Sequence, residues 1–427
     1  QGCSRYQLLN EQHSPLDIPL DMNPLTVERA REQKPELRRG ELLAMLSLIM
    51  ALMAMAIDLM LSAFDDMRAT FGLDPTSNEV AGVVTVFFMG FAVAQFVYGP
   101  LTDRFGRKRV LGVSIVIYIL GAIASALAPS LGLLLVARFV WGIGAAGSRV
   151  VATAVVRDLF EGAEMAKAMS QIMAVFIMVP VIAPALGAGI VAFLPWQSVF
   201  WACALWSIAM WLWSRRLPET LPVDQRRKLD KADITDSYRT FFKTRPTLWY
   251  SVSSIFMQSV FTMYLASSEL IVSEIFGHRS WFPFVFGATA VGFGVASLVN
   301  GQAVERFGVR KVLNKMLVVL NACAALLVVV AVSGGGQPSF WTFMPALAVM
   351  LSAFMFIMRN MNAEAMQPVP HIAGTVSALS GGFRMLGGSI LGGLVAARID
   401  VSVTPFAVAA LIFALLSWAS AYVAQLD

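Results

Sequence analysis

The sequence is poor in charge, cysteine and histidine, and each scarcity argues against a class of protein. Only 14% of its 427 residues are charged and 57% are hydrophobic, against roughly 25% and 45–50% in ordinary soluble domains. One soluble core cannot bury such a composition. The three cysteines lack disulfide or metal spacing, and no HExxH or Walker sequence occurs. A disulfide scaffold, a metal site, a cofactor, a membrane enzyme and a receptor are therefore not favoured.

What the sequence does contain is hydrophobic runs of about 20 residues, each long enough to cross roughly 30 Å of hydrocarbon as a helix. The sequence therefore predicts an all-α integral membrane protein with twelve transmembrane helices. These are predicted at 42–64, 80–98, 110–128, 131–152, 168–193, 196–213, 247–276, 282–303, 312–332, 340–358, 372–397 and 403–424.

The basic residues predict the orientation of these helices, because short basic loops stay on the cytoplasmic side. Loops on the predicted outer side hold only Arg68, Arg279 and Arg398. Both termini are therefore expected in the cytoplasm, with 1–41 as a polar tail. The basic segment 214–246 is predicted to link two six-helix halves, 42–213 and 247–427. Since basic residues lie between the hydrophobic runs and not on one face, nucleic acid is not an expected partner.

An internal repeat supports the two halves. The sequence reads GPLTDRFGRKR at 99–109 and GQAVERFGVRK at 301–311, so glycine, acid, arginine, phenylalanine and glycine recur one half-protein apart. Pseudo-symmetric bundles that rock about a site at the membrane midplane are what an alternating-access carrier needs.

The same repeat predicts a conformational latch, because a carboxylate at a helix end can pair with cations on neighbouring elements and part from them when the halves tilt. Plain anchoring by the positive charges is the alternative. The predicted latch residues are Gly99, Asp103, Arg104, Gly106, Arg107, Lys108, Glu305, Arg306, Gly308 and Arg310.

From about 42 to 424 the chain resembles the major facilitator superfamily. Segment 99–109 is similar to its loop 2-3 signature, and LLLVARFVWGIGAAG at 133–147 resembles the drug/proton antiporter signature, with its intramembrane arginine at Arg138. VPVIAPALGAG at 179–189 resembles the antiporter motif, whose residues here are Pro180, Pro184, Gly187 and Gly189.

Segments 55–64, 155–170 and 370–379 are further similar to the Bcr/CflA branch of bicyclomycin and chloramphenicol exporters. This resemblance implies a proton-coupled exporter of amphipathic or hydrophobic compounds in a bacterial inner membrane, driven by the proton gradient. The expected partners are a small-molecule substrate, protons and lipid, and a monomer is expected. A dedicated metabolite transporter is the alternative.

The chain departs from the branch near two helices. The family usually has prolines where this chain has Ser62 and Asp65, and often Ser-Pro where this chain has Ser268 and Glu269. The additional carboxylate puts a simple transfer of the family's substrate range in doubt.

Ionisable groups in hydrocarbon are costly, so those that persist indicate function. Asp58 and Arg138 lie at matching depths, roughly 9 and 11 Å from the outer helix ends. With Glu269 they are the predicted proton-coupling residues, although Asp58 could instead form only a structural pair or cap.

The predicted substrate-binding residues are Met55, Asp58, Glu269 and Arg384. Arg384 lies roughly 18 Å from the inner end of its helix. It is expected to bind an anionic or carbonyl-bearing substrate or to pair with Glu269, and a structural role facing a cavity is the alternative. Arg149 is predicted to be structural, because it lies near the inner end of the fourth predicted span.

Overall fold

The computed structural model describes residues 37–222, 226, 231–369 and 373–426, and every regular element within these ranges is helical. The predicted tail 1–41 lies largely outside the described residues, as does the start of the branch-like segment at 370. Twelve long helices, α1 to α12, are Arg39–Asp58, Gly82–Phe105, Arg107–Ala126, Leu131–Leu159, Gly162–Val191, Gln197–Ser214, Arg245–Leu270, Phe282–Phe307, Val309–Ser333, Phe340–Met366, Ala373–Ala396 and Thr404–Gln425.

Eleven spans of the described chain are long and apolar enough to cross a membrane. The remaining long helix, α6, has 18 residues, begins with Gln197 and contains four tryptophans, which hydropathy scales rate as weakly polar. Since α6 packs against α1, α3 and α5 within the same bundle, it completes the predicted set of twelve.

The two halves repeat the same packing. In the first half α1 contacts α4, α5 and α6, α2 contacts α4, and α3 contacts α4 and α6. Each of these pairs recurs six helices later in the second half. The halves meet mainly through α2 against α11 and α5 against α8. This correspondence confirms the predicted pair of pseudo-symmetric bundles.

The first helix of each half changes geometry within the membrane region. After Asp58 the chain passes through a turn and the 3₁₀ segment Leu61–Ala63 into the short helix Phe64–Phe71. The equivalent helix α7 ends in the π-helical turn Ile271–Ile275. The first predicted span was therefore wrong to run unbroken to residue 64. Irregular backbone of this kind is tolerated at membrane depth where it faces protein or a cavity.

Short connections define two ends of the bundle. We call basic face the end that holds the α2–α3, α4–α5 and α8–α9 connections and the linker, and opposite face the other end. The α2–α3 and α8–α9 connections consist of Gly106 and Gly308, which have φ of +91° and +82°. Only glycine adopts such values without strain. The linker also contains a helix, Lys231–Lys243.

Candidate functional site

The break in α1 places Asp58 at the end of a helix whose carbonyls are held by side chains. Helix C-termini leave backbone carbonyls without intrahelical donors. The Arg138 guanidinium donates to Ala56 O at 3.0 Å, and the Tyr118 hydroxyl donates to Leu52 O at 2.9 Å. A cation is also favoured at the negative end of a helix dipole. Arg138 therefore stabilises the helix end that carries Asp58.

Arg138 is fully buried in an aromatic cage. Its guanidinium carbon lies 4.5 Å from the Phe87 ring centre and 4.6 Å from that of Trp141, with Phe200 at 5.9 Å. Its Nε donates to Val83 O at 3.1 Å. No carboxylate of the described chain pairs with it. Arg138 and Asp58 thus lie at similar depths, but they do not form an ion pair.

Asp58 is buried at the end of α1, and no cation in the described ranges lies within ion-pair distance of it. Its charge acts on the Tyr264 hydroxyl of the second half. Tyr264 stacks on Phe286 at 5.9 Å and lies in the tightly packed contact between α7, α8 and α10. Met55, one turn from Asp58, is the one residue of 51–60 that is not fully buried. Asp58 thus lies near the second half, and the substrate-binding roles of Asp58 and Met55 stay predictions.

Glu269 pairs with Arg68, which the sequence analysis counted only as an outer-loop residue. The Arg68 guanidinium lies 2.6 Å from Glu269 and also pairs with Asp65, and its side chain is only 2% exposed. Asp65 pairs in turn with Arg279, which lies 3.2 Å from Glu274. We call these five residues the opposite-face network. It joins the first half to the second and closes the interface at this end.

Neutral hydrogen bonds reinforce this closure. The Asn78 amide, next to the start of α2, donates to Ser267 Oγ at 3.0 Å and to Ala396 O at 2.7 Å, both in the second half. The Ser62 hydroxyl donates to Pro184 O at 2.8 Å. Ser62, Asp65 and Glu269, which depart from the family pattern, thus all take part in contacts near the opposite face.

The proline- and glycine-containing helix α5 packs closely against the α1 break. A Cβ at Gly187 would collide with the Leu59 carbonyl, whereas a Cβ at Gly189 would meet nothing within 4 Å. Two residues along a helix point about 200° apart, so only one of these glycines can face α1. Pro180 and Pro184 both lie inside the helix. Close packing against the α1 break is thus observed at Gly187 and is absent at Gly189.

In the first copy of the latch motif, the Arg107 side chain pairs with carboxylates of its own half. It lies 2.5 Å from Asp103 and 2.8 Å from Asp158 at the end of α4. Glu219 of the linker accepts from the backbone N–H groups of Arg107 at 2.7 Å and Lys108 at 3.2 Å. Asp158 and Glu219 could not be recognised from the sequence as partners of Arg107, because they lie 51 and 112 residues further along the chain.

The glycines of this copy behave differently from each other. A Cβ at Gly106 would collide with the Glu219 carboxylate, whereas Gly99 faces open space. Gly99 therefore makes no close approach to another helix. Arg104 lies over the ring of its neighbour Phe105 at 5.2 Å, exposed at the basic face.

The second copy makes weaker contacts. Arg310 donates to Gln425 O at 3.0 Å at the end of α12, while Arg306 lies over Phe307. Glu305 has no ion-pair partner among the described residues. The described contacts of both copies stay within one half or reach the linker, which differs from the predicted latch between the halves.

Two arginines from opposite halves lie near each other on the basic side of Asp58. Arg384 of α11 borders a small cavity between α7, α10 and α11, and its Nε is buried without a partner. Arg149 of α4 is close enough for its charge to act on Arg384. Arg384 does not pair with Glu269, whose partner is Arg68. Ser380, one turn from Arg384, is hydrogen-bonded to Ser251, which lies roughly 27 Å along α7 from Glu269, so the two levels differ.

Aromatic side chains close the interface nearer the basic face. The Phe383 ring of α11 lies 5.3 Å from Phe96 of α2, and Phe241 and Phe242 of the linker helix lie 6.1 and 5.9 Å from it. The space around Asp58 and the two arginines is thus bounded by charges at one end and by aromatic rings at the other.

Sequence comparison finds relatives of known name. The chain is 28% identical to the bicyclomycin resistance protein homolog of Haemophilus influenzae, over 82% of this chain and 87% of the relative. It is 27% identical to multidrug resistance protein D of Escherichia coli K12, over 84% and 89% of the two chains. These relatives confirm the branch that the motifs indicated.

Structural comparison agrees on the fold. A crystal structure of a D-xylose-proton symporter matches with a TM-score of 0.69 and 12% identity, and the match covers 89% of this chain and 97% of the symporter. The model of the Major Facilitator Superfamily matches residues 46–392. With its all-helical spans and paired bundles, this chain belongs to the Major Facilitator Superfamily and is a transporter of small molecules, not an enzyme.

Proposed function

We propose that the protein is a proton-coupled exporter of small amphipathic or hydrophobic compounds that works by alternating access. The names of its relatives, which refer to bicyclomycin and multidrug resistance, support this class of cargo. The two boundaries support alternating access, because the opposite-face network and the Phe383 cluster each join the halves at one end.

The observation that carries proton coupling is the position of Asp58. It is buried at the interface of the halves and has no cation beside it in the described part of the chain. Ionised carboxylates are costly away from water, and such groups take up a proton instead of remaining charged. When the interface opens, water reaches the carboxyl group and the proton can leave. Substrate bound at the same place competes with this proton.

Arg138 and Glu269 have supporting parts in this scheme. Arg138 keeps the end of α1 in place through the Ala56 carbonyl, so it positions Asp58 and does not itself exchange protons. Glu269 loses Arg68 when the halves separate at the opposite face. It then becomes available to a proton or to a cationic group of the substrate.

The basic face is proposed to be cytoplasmic, because basic loops stay on that side of a bacterial inner membrane. The start of α1 at Arg39 and the end of α12 at Gln425 both lie at this face. The proposal includes a monomer driven by the proton gradient, with no further cofactor.

The test is transport by the full chain in proteoliposomes, with an internal pH dye and an imposed pH gradient. In the unchanged protein, drugs of the classes named for the relatives should move protons against their own flux. Asp58→Asn should reduce gradient-driven transport at least about tenfold, since loss of a proton-transfer group typically costs 10²- to 10⁴-fold. Exchange of labelled for unlabelled substrate without a gradient should persist.

Asp66→Asn is the matched control, because Asp66 is exposed and lies only eight residues further along the chain. A wild-type protein whose transport ignores the pH gradient would refute proton coupling. If Asp58→Asn retained full gradient-driven transport, coupling would reside elsewhere. A panel in which one metabolite alone is moved would favour the dedicated metabolite transporter.

A further inference from the structure

The midplane of the protein holds two cations without a counter-charge. Arg149 and Arg384 come from opposite halves, and the charge of Arg149 acts on Arg384. No carboxylate within the described ranges forms an ion pair with either. Arginines within membrane spans normally face a partner or a water-filled cavity. This pair instead brings like charges together.

The register of the half-to-half interface confirms that the two arginines share a level. Along α2 and α11, which run in opposite directions, Gln95 lies against Gly381 and Thr85 lies against Gly393. Phe91 therefore lies level with Arg384 to within about one helical turn. The Arg149 guanidinium carbon lies 6.0 Å from the Phe91 ring centre.

The groups around each guanidinium leave donors free. Among the described residues, Arg149 contacts soft partners, with Nη1 at 3.5 Å from the Met53 sulfur and the Phe176 ring at 5.9 Å from its guanidinium carbon. The Nε of Arg384 is buried and makes no hydrogen bond, and the nearby Gln95 Oε1 is also buried without a partner. Buried polar groups are almost always paired, so unpaired ones call for a ligand or water.

The cavity beside Arg384 is lined on one side by small polar groups. Ser251 and Ser380 hydroxyls, 2.6 Å apart, and the Asn362 side chain border it. The aromatic rings and Met53 lie on the Arg149 side. A site with two guanidinium groups, hydroxyls and an apolar wall matches an organic anion with an aromatic or aliphatic body.

We propose that Arg149 and Arg384 together form a binding subsite for the acidic group of the cargo, so that this transporter prefers amphipathic organic anions bearing a carboxylate or sulfonate. Arginine suits these groups because its planar fork binds two of their oxygens at once. An anion held between the halves also removes the repulsion between the two cations. As a statement about cargo, this inference rests on the proposed exporter function, but the binding preference is measurable without transport.

The test uses the purified full chain in lipid nanodiscs and equilibrium dialysis with three probes that share one ring system. The probes are naphthalene sulfonate, naphthalene sulfonamide and naphthylmethylammonium, and empty nanodiscs correct for lipid binding. The anion should bind at least about tenfold more tightly than the neutral sulfonamide, and the ammonium most weakly. One hydrogen-bonded charge contact corresponds to a change of this size or larger.

Arg384→Gln should weaken sulfonate binding by about 10- to 100-fold and change sulfonamide binding by less than about threefold. Arg384→Lys should restore part of the loss, because the charge returns without the fork. Arg359→Gln, an exposed arginine of α10, should bind like the unchanged protein. Thermal unfolding and size-exclusion profiles show whether each variant is folded.

Equal affinity of the unchanged protein for the sulfonate and the sulfonamide would overturn the proposal, and this comparison needs no variant. Loss of sulfonate and sulfonamide binding together in a folded Arg384→Gln protein would also overturn it. Anion-selective binding with no pH-dependent transport would leave the subsite standing and refute the exporter. Drug-driven proton movement with no preference for anions would support the exporter and refute the subsite.

Discussion

Buried arginine has contrasting surroundings in the opposite-face network and in the midplane arginine pair. In the network, Arg68 is almost fully buried and is held between Asp65 and Glu269. At the midplane, Arg149 and Arg384 are brought together without an acid from the described residues. Both arrangements draw their residues from the two halves. One is complete within the protein, whereas the other is complete only with a ligand.

This difference separates closure from binding. Buried ions that satisfy each other hold a closed end shut, because parting them leaves each charge unpaired. Like charges near each other favour separation until an anion arrives. The first arrangement therefore stabilises a conformation without substrate, and the second makes the closed midplane depend on substrate.

The largest expected effect comes from removing the centre of the network. Arg68→Gln leaves Glu269 buried and unpaired, which costs about 3–5 kcal/mol in the closed state. A thiol introduced by Ser268→Cys should then react with a membrane-impermeant maleimide at least about 100-fold faster, since Ser268 lies beside the network and is buried.

Arg398→Gln should leave the labelling rate unchanged, because Arg398 is exposed at the same face. Adding Glu269→Gln to Arg68→Gln should recover part of the protection. Slow labelling in Arg68→Gln would show that the network does not hold this end closed.

An arginine-to-glutamine substitution at the midplane should have the opposite effect on stability. Without substrate, Arg384→Gln removes a charge that lacks a counter-ion and should stabilise the fold by about 1–3 kcal/mol. Thermal unfolding in detergent measures the change, with Arg359→Gln as the exposed control. A fall in stability would mean that Arg384 is satisfied within the protein.

Packing behind the network supplies an intermediate effect. Gly187→Leu places a side chain against the Leu59 carbonyl, and such overpacking costs about 1–3 kcal/mol. Gly189→Leu, two residues away, has open space and should unfold at nearly the wild-type temperature. Equal destabilisation of the two variants would contradict the close contact between α5 and α1.

The smallest effect is expected at the rim of the network. Arg279 is 64% exposed, and its pairs with Asp65 and Glu274 are open to solvent. Exposed ion pairs contribute about 0–1 kcal/mol, so Arg279→Gln should speed thiol labelling less than about fivefold. High salt should make the labelling rates of the variant and the unchanged protein more alike. A change as large as that of Arg68→Gln would make Arg279 a main part of the closure.

Several site residues could be predicted because charge inside a hydrophobic run is visible in the sequence. Asp58, Arg138, Glu269 and Arg384 all stand out in this way, and the structure places each of them in a bundle interior. Their partners could not be predicted, because Arg138 contacts carbonyls and aromatic rings of other helices, which carry no charge pattern.

Arg149 shows how a helix boundary misleads. The predicted fourth span ends at 152, which places Arg149 within reach of the membrane surface. The helix α4 continues to Leu159, which moves Arg149 away from the end. Arg68 shows the reverse error, since the predicted outer loop folds into the short helix Phe64–Phe71 and buries the guanidinium.

The sequence by itself determined the number of helices, the two halves and the family, because hydrophobic length and repeated motifs are local properties of the chain. Only the tertiary structure decided which charges meet. Glu269 pairs with Arg68 from about two hundred residues earlier, while Arg149 and Arg384 meet each other instead of an acid. Such pairings follow from how twelve helices pack, and electrostatic energy depends on the distances and burial that packing creates.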